Sequence, residues 1–406
     1  MLPEDPFIKS IRLTNFLSYG ASTDDTELRS LNVLIGPNLS GKSNLIEAIG
    51  ILQAAPKDLG DPIREGGGIA EWIWKGSKGV SNAEIRVVLD NPLGEQDLRY
   101  RLSFTMVGQH LEVVDESLEN KEKTHAWEED VYFFYRFDSG RPTLNVRDIL
   151  AETPQAQEGP FTRRLKRQDL NPQQSVLSQR KDPDLYPELT YVGDQFSRIK
   201  LYREWNLGRY TPPRLPQKAD LAQDFLSENA NNLTLVLNDL EHKPGTKRVL
   251  LDHLKEFYFR IEDFTTKIQG GTVQLFLHEK GLREPVPATR LSDGILRYLC
   301  LLAVLCHPEP PPVVCIEEPE LSLHPDALKS IAALLVEASK RTQLIVTTHS
   351  DTLVSELTDV PEAVIVCERV GIGTELRRLD RNHLEKWLKE YRLGELWRMG
   401  ELGGNP

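Results

Sequence analysis

Gly36-Pro37-Asn38-Leu39-Ser40-Gly41-Lys42-Ser43 constrains this chain more than any other segment. It has the spacing G-x-x-x-x-G-K-[ST]. It lies between a short apolar run, Leu31–Ile35, and a stretch with Leu45, Ile46, Ile49 and Leu52 at helical spacing. A strand, a glycine-bearing loop and a helix in that order form a phosphate cradle. Glycines let backbone N–H groups turn inward, and the helix N-terminus adds a field that favours negative charge. The candidate nucleotide contacts are Gly36, Pro37, Asn38, Ser40, Gly41, Lys42, Ser43 and Asn44. Among them Lys42 is expected to reach the β- and γ-phosphates, and the Ser43 hydroxyl to ligate Mg²⁺.

Three later segments are compatible with that cradle. Val313-Val314-Cys315-Ile316 is an apolar strand ending in Glu317 and Glu318. Such a strand delivers its acids to the carboxyl edge of a sheet, where open α/β folds bind ligands. Glu317 can hold Mg²⁺, and Glu318 can orient or deprotonate an attacking water; alone, the pair reads equally well as a solvated strand end. Leu344–Thr348 is a second apolar strand, and it brings His349 to the same edge. The spacing from Glu318 to His349 fits one βαβ unit, which makes the two strands near neighbours. Ser292 and Gly294, in Leu291-Ser292-Asp293-Gly294-Ile295, open a further helix and read as an N-cap that doubles as a small anion site.

Between these motifs the chain changes character. Ile8–Phe16 reads as a strand, and Ala83–Leu89, Leu98–Phe104, Leu111–Val114 and Val131–Phe137 read as strands of an antiparallel layer. Ala151–Asp184 is polar and reads as a loop or insertion, Ala219–Phe259 as helical, and Gly270-Gly271 as the turn of a hairpin. The final third alternates helix and strand, the pattern of a parallel sheet covered on both faces. The expected division is an N-terminal lobe over 1–115, an insertion over 116–285, and a C-terminal lobe over 286–406. The formal net charge of −12 argues against coating nucleic acid by charge alone. No apolar run reaches the ~20 residues of a membrane-spanning helix, so no membrane partner is expected. Four cysteines without metal-ligand spacing read as reduced core residues of a cytoplasmic protein.

Taken in order, GPNLSGKS, LSDGI, VVCIEEPE with LSLHP, and TTHS resemble the ABC-type ATPases of the RecF/SMC/OLD branch. More narrowly, they resemble stand-alone bacterial AAA-like ATPases of that branch. The resemblance implies a P-loop NTPase head of α/β class, with a mostly parallel sheet, an antiparallel β layer and a helical insertion. It also implies a homodimer that sandwiches two ATP molecules. Each ATP would meet the phosphate loop, Glu317, Glu318 and His349 of one chain, and Ser292 and Gly294 of the other. Leu321–Pro325 matches the loop that crosses the dimer interface, and a glutamine sensing Mg²⁺ is expected, Gln179 or, as runner-up, Gln195. Three positions depart from the usual pattern: Glu317 for aspartate, Leu39 for glycine, and Asp293 for glycine.

The stretch after His349 is shorter than a ~100-residue domain and lacks a paired carboxylate motif for two metals, so a nuclease activity of this chain itself is not expected. The resemblance points instead to a slow ATPase that controls a separately encoded effector, such as a nuclease, in bacterial antiviral defence. The alternative is a RecF-like repair clamp that binds duplex DNA directly through the basic cluster Arg163, Arg164, Lys166 and Arg167, with Arg180 and Lys181 nearby.

Overall fold

In the computed structural model the described residues are 6–76, 79, 81–123, 130–138, 141–146, 161–164 and 169–404. Three sheets organise them. The central one runs in the order Lys200–Tyr202, Val313–Glu317, Gln343–Thr347, Leu31–Ile35, Val364–Val370, Gly373–Arg378. Its first five strands are parallel, and the last returns antiparallel. Leu31–Ile35 and Gln343–Thr347 are buried at every position, as strands covered on both faces must be.

The pleat then sorts their side chains into two cores. Val33, Ile35, Val314, Ile316, Leu344 and Val346 face one core with the helices Asp293–Leu305 and Ala327–Ala338. Leu34, Val313, Cys315, Ile345, Ile365 and Cys367 face the other, with the helices Lys42–Ala54 and Pro187–Arg198. Each of these side chains contributes roughly 1.5–3 kcal/mol by leaving water.

The second core is closed by an eight-stranded antiparallel sheet. Its strand Ala83–Leu89 alternates strictly, with Ala83, Ile85, Val87 and Leu89 inward and Glu84, Arg86 and Val88 less buried. The expected strand at Leu111–Val114 is longer, His110–Asn120, and the boundary drawn between 115 and 116 falls inside it. The third sheet is small. Its hairpin Ile261–Gln269 and Thr272–Glu279 turns on Gly270 and Gly271, both left-handed at φ 58° and 76°, which suits a tight two-residue hairpin. Of the stretch Ala219–Phe259 expected to be helical, 219–232 forms turns, and the helices are Leu233–His242 and Thr246–Phe257, parted where Pro244 and left-handed Gly245 interrupt the ladder. The strand Lys200–Tyr202 lies within the presumed insertion yet belongs to the central sheet. Of the polar stretch Ala151–Asp184, residues 151–160 and 165–168 lie outside the described residues; the remainder includes the strand Phe161–Arg164 and the short helix Val176–Gln179.

Candidate nucleotide site

Every strand carrying a motif ends at one edge of the parallel sheet. Glu317 pairs with Thr347, and Thr347 with Leu34, so the acidic strand, the histidine strand and the loop after Ile35 arrive side by side. The loop itself needs its glycines. At Gly36, φ is 146° and a Cβ would lie 2.2 Å from the Cys367 carbonyl oxygen. At Gly41, φ is 103° and a Cβ would meet the Thr374 hydroxyl at 2.5 Å. Leu39 does hold a glycine-like backbone, φ 66°, at the exposed tip of the loop, a conformation that costs a non-glycine residue about 1–2 kcal/mol. Behind the loop, Thr374 donates to Ser40 O at 2.8 Å, Tyr19 donates to Gly41 O at 3.1 Å, and Asn44 donates to the Ser18 hydroxyl at 2.7 Å.

The side chains converge on a cavity of about 650 Å³ whose walls include Asn38, Lys42, Ser43, Glu318 and His349. The Lys42 ammonium donates to Gly36 O at 2.7 Å and Pro37 O at 2.9 Å. Burial lowers its pKa, partly offset by Glu318 and Glu317. Ser43 donates to Glu317 at 2.7 Å, so the longer acid reaches the hydroxyl at the start of the loop helix. Burial raises the Glu317 pKa, more than Ser43 and Arg203 lower it. A serine hydroxyl and a carboxylate are hard oxygen donors, the set magnesium prefers, and the buried Ser40 hydroxyl in the loop has no hydrogen-bond partner among the described residues. The residues therefore fit a magnesium-bound triphosphate.

Glu318 stands at φ 46°, with its N–H donating to Thr347 O at 3.0 Å. A carboxylate in left-handed backbone stores roughly 1–3 kcal/mol, a strain found at functional positions. His349 Nε2 lies 3.8 Å from the Glu318 carboxylate. Burial and then Lys42 lower the His349 pKa, which favours the neutral ring. Sequence reasoning missed Glu320, whose carboxylate accepts the Thr348 hydroxyl at 2.6 Å and the His349 N–H at 2.9 Å, fixing the turn that carries the histidine. It also missed Arg203, which forks onto Glu47 at 2.7 and 2.9 Å and stands 3.8 Å from Glu317. Only the pairing of Lys200–Tyr202 with the acidic strand reveals it.

Gln179 is not brought to this cleft. Its amide donates to Asn171 O, Gln174 O and Ser175 O and accepts the Asn171 N–H at 2.7 Å, tying a local turn. Gln195 sits on the helix Pro187–Arg198 and does not line the cavity either. Ser292 caps the helix Asp293–Leu305, accepting the Ile295 N–H at 3.3 Å; neither it nor Gly294 lines the cavity of its own chain. In the basic cluster, Arg163 and Arg164 lie on the outermost strand, Phe161–Arg164, and Lys166 and Arg167 lie outside the described residues. The Arg180 guanidinium donates to two carbonyls, Gln179 O and Asp169 O. Among the described residues no helix is long and apolar enough to cross a membrane.

A strand–loop–helix cradle, an acidic strand and a histidine strand on one sheet edge define a P-loop ATPase of the ABC type. The chain belongs to the family described as "AAA domain, putative AbiEii toxin, Type IV TA system", whose model matches residues 31–355. Its fold is that of SMC heads. It is similar to an Smc head bound to the C-winged-helix domain of ScpA, with TM-score 0.58, 16% identity and coverage of 94% of this chain and 100% of that one. A Pyrococcus furiosus Smc head with an extended coiled coil, bound to the C-terminal domain of ScpA, matches with TM-score 0.58, 15% identity and coverage of 95% and 99%. Among curated proteins, ABC transporter A family member 4 of Arabidopsis thaliana is 28% identical over 168 residues, 40% of this chain and 16% of that protein. The chain thus spans less than a fifth of that relative's length.

Proposed function

We propose that this protein binds and hydrolyses ATP as a two-fold dimer and uses that cycle to control a separately encoded effector, a nuclease in the simplest case, in antiviral defence. The observation that carries the reading is the division of labour in one chain. Lys42, Ser43, Glu318 and His349 line the cavity, Glu317 stands behind it bonded to Ser43, and Ser292 and Gly294 present a helix N-terminus elsewhere. A second copy supplies what the first lacks. The exposed Ser292 hydroxyl and the first N–H groups of its helix would then donate to a triphosphate held by the neighbouring loop.

Magnesium, when bound, supplies charge neutralisation at the phosphates, with Ser43 and Glu317 as its protein donors. Lys42 gives up its two carbonyls for phosphate oxygens. Glu318 accepts the proton of the attacking water, and neutral His349 donates a hydrogen bond toward the γ-phosphate. Contacts completed only by triphosphate make ATP a conformational ligand, and its loss loosens the pair. Solved SMC heads that bind ScpA support a fold that can carry a protein partner. The toxin system named in the family description supports a defence setting.

Glu318→Gln tests the reading. Hydrolysis should fall roughly 10²–10⁴-fold while ATP stays bound, and ATP with magnesium should shift the variant to twice its mass by light scattering. Turnover at the unmodified rate would remove Glu318 from its role, and a monomer at saturating ATP would remove the dimer. Recovery of the native complex and mass analysis of its components would identify the effector.

A further inference from the structure

An aspartate at position 293 puts a negative charge one residue from the serine that is to meet a γ-phosphate. The structure supplies its counterweight. Arg214, on the short turn Pro212–Arg214, is buried, and its guanidinium is divided among three acceptors. Nε donates to Leu207 O at 2.7 Å, one terminal nitrogen to Leu291 O, and the other to the Asp293 carboxylate. The first bond ties the arginine to its own segment, and the other two grip the turn Leu291–Asp293 on either side of Ser292. The turn has little freedom on its far side as well, because a Cβ on Gly294 would lie 3.0 Å from Ser322 O in the adjoining loop.

A buried guanidinium bonded only to carbonyls would be costly, and among the described residues Asp293 is the carboxylate it bridges. The planar fork suits this task in a way a lysine does not. The same segment begins at Arg203 beside Glu317, and its Trp205 packs on Tyr202 with ring centroids 5.5 Å apart. Arg297, on the helix Asp293–Leu305, lies over that indole at 5.6 Å. One stretch of chain therefore lies beside the Glu317 carboxylate bonded to Ser43 and also holds the turn offered to the neighbour.

We propose that Arg214 is a positioning residue that holds the turn Leu291–Asp293 and cancels the Asp293 charge, making this acidic turn acceptable to the triphosphate of a second copy of this chain. This rests on the ATP-sandwiched dimer proposed above.

The test uses the full chain carrying E318Q, with ATP and magnesium, reading dimer dissociation by ultracentrifugation and nucleotide binding to the monomer with a fluorescent ATP analogue. R214Q should weaken the dimer by about tenfold or more and leave binding to the monomer within about twofold. Adding D293N to R214Q should restore about threefold or more of that loss, which a purely structural arginine would not allow. If R214Q does not fold, the comparison is made on R214K, which keeps the cation and loses the fork; its expected loss is about threefold, again recovered by D293N. A dimer within about twofold of the parent in R214Q, or no recovery with D293N, overturns the role of Arg214. A parent that stays monomeric at saturating ATP overturns the sandwich itself, and the Arg214 role falls with it.

Discussion

The two large sheets of this molecule are built from similar residues to opposite ends. In the parallel sheet, Leu31–Ile35 and Gln343–Thr347 are buried throughout, and the residues assigned to the site stand just beyond their carboxyl ends. In the antiparallel sheet, Ala83–Leu89 buries alternate residues and leaves Arg86 to pair with Asp25 at 3.1 Å on the outer face. That sheet contributes none of the residues assigned to catalysis. Strands that point the same way bring several loops to one edge, and strands that alternate direction scatter them. The first geometry makes a site and the second a platform.

The sharpest way to break this contrast is at the loop. Lys42→Ala should cost about 1.5–3 kcal/mol of ATP binding, roughly ten- to hundredfold, with little loss of fold, by titration calorimetry. Unchanged affinity would remove the phosphate-loop assignment. A matched pair of core truncations sharpens it. Ile345→Ala and Ile85→Ala both empty fully buried positions and should each cost about 2–5 kcal/mol in denaturant unfolding. Only Ile345→Ala, two residues before Thr347 in the histidine strand, should also weaken ATP binding. Equal effects of the two on ATP binding would show that the platform is part of the site.

The cysteines give a subtler check. Burial pushes the Cys367 thiol, beside the loop, up to about 12, and a thiol raised in the fold is protonated at neutral pH. Cys367 should resist a thiol reagent at pH 8 in the native protein and react on unfolding. The smallest effect belongs to the platform's outer face. Arg136→Ala removes bridges to Glu119 and Asp130 at 2.8 and 2.5 Å, partly exposed, and should change stability by about 0–1 kcal/mol without touching ATP binding.

What could be read before the fold was known follows the same division. The phosphate loop, Glu317, Glu318 and His349 each announce themselves through a few contiguous residues whose strand or helix context is local. The antiparallel strands were legible by alternation, though not their lengths, because a strand such as His110–Asn120 ends where its partner's hydrogen bonds end. Arg203 and Arg214 were invisible. Their meaning comes from pairing across the chain, Lys200–Tyr202 with Val313–Glu317 and Arg214 with Asp293, and no local pattern marks an arginine for such a pairing. Gln179 failed for the converse reason. Its type and order in the chain suited the task, and only its bonds to Asn171, Gln174 and Ser175 show that it serves the turn it stands in.

The pleat of Leu31–Ile35 has a further consequence. Because Val33 and Leu34 point into different cores, that strand is a party wall between them. The protein has no seam there along which it could be cut into self-sufficient halves. Variation in such an architecture must come from exchanging the outworks, since neither room stands once the shared partition is taken down.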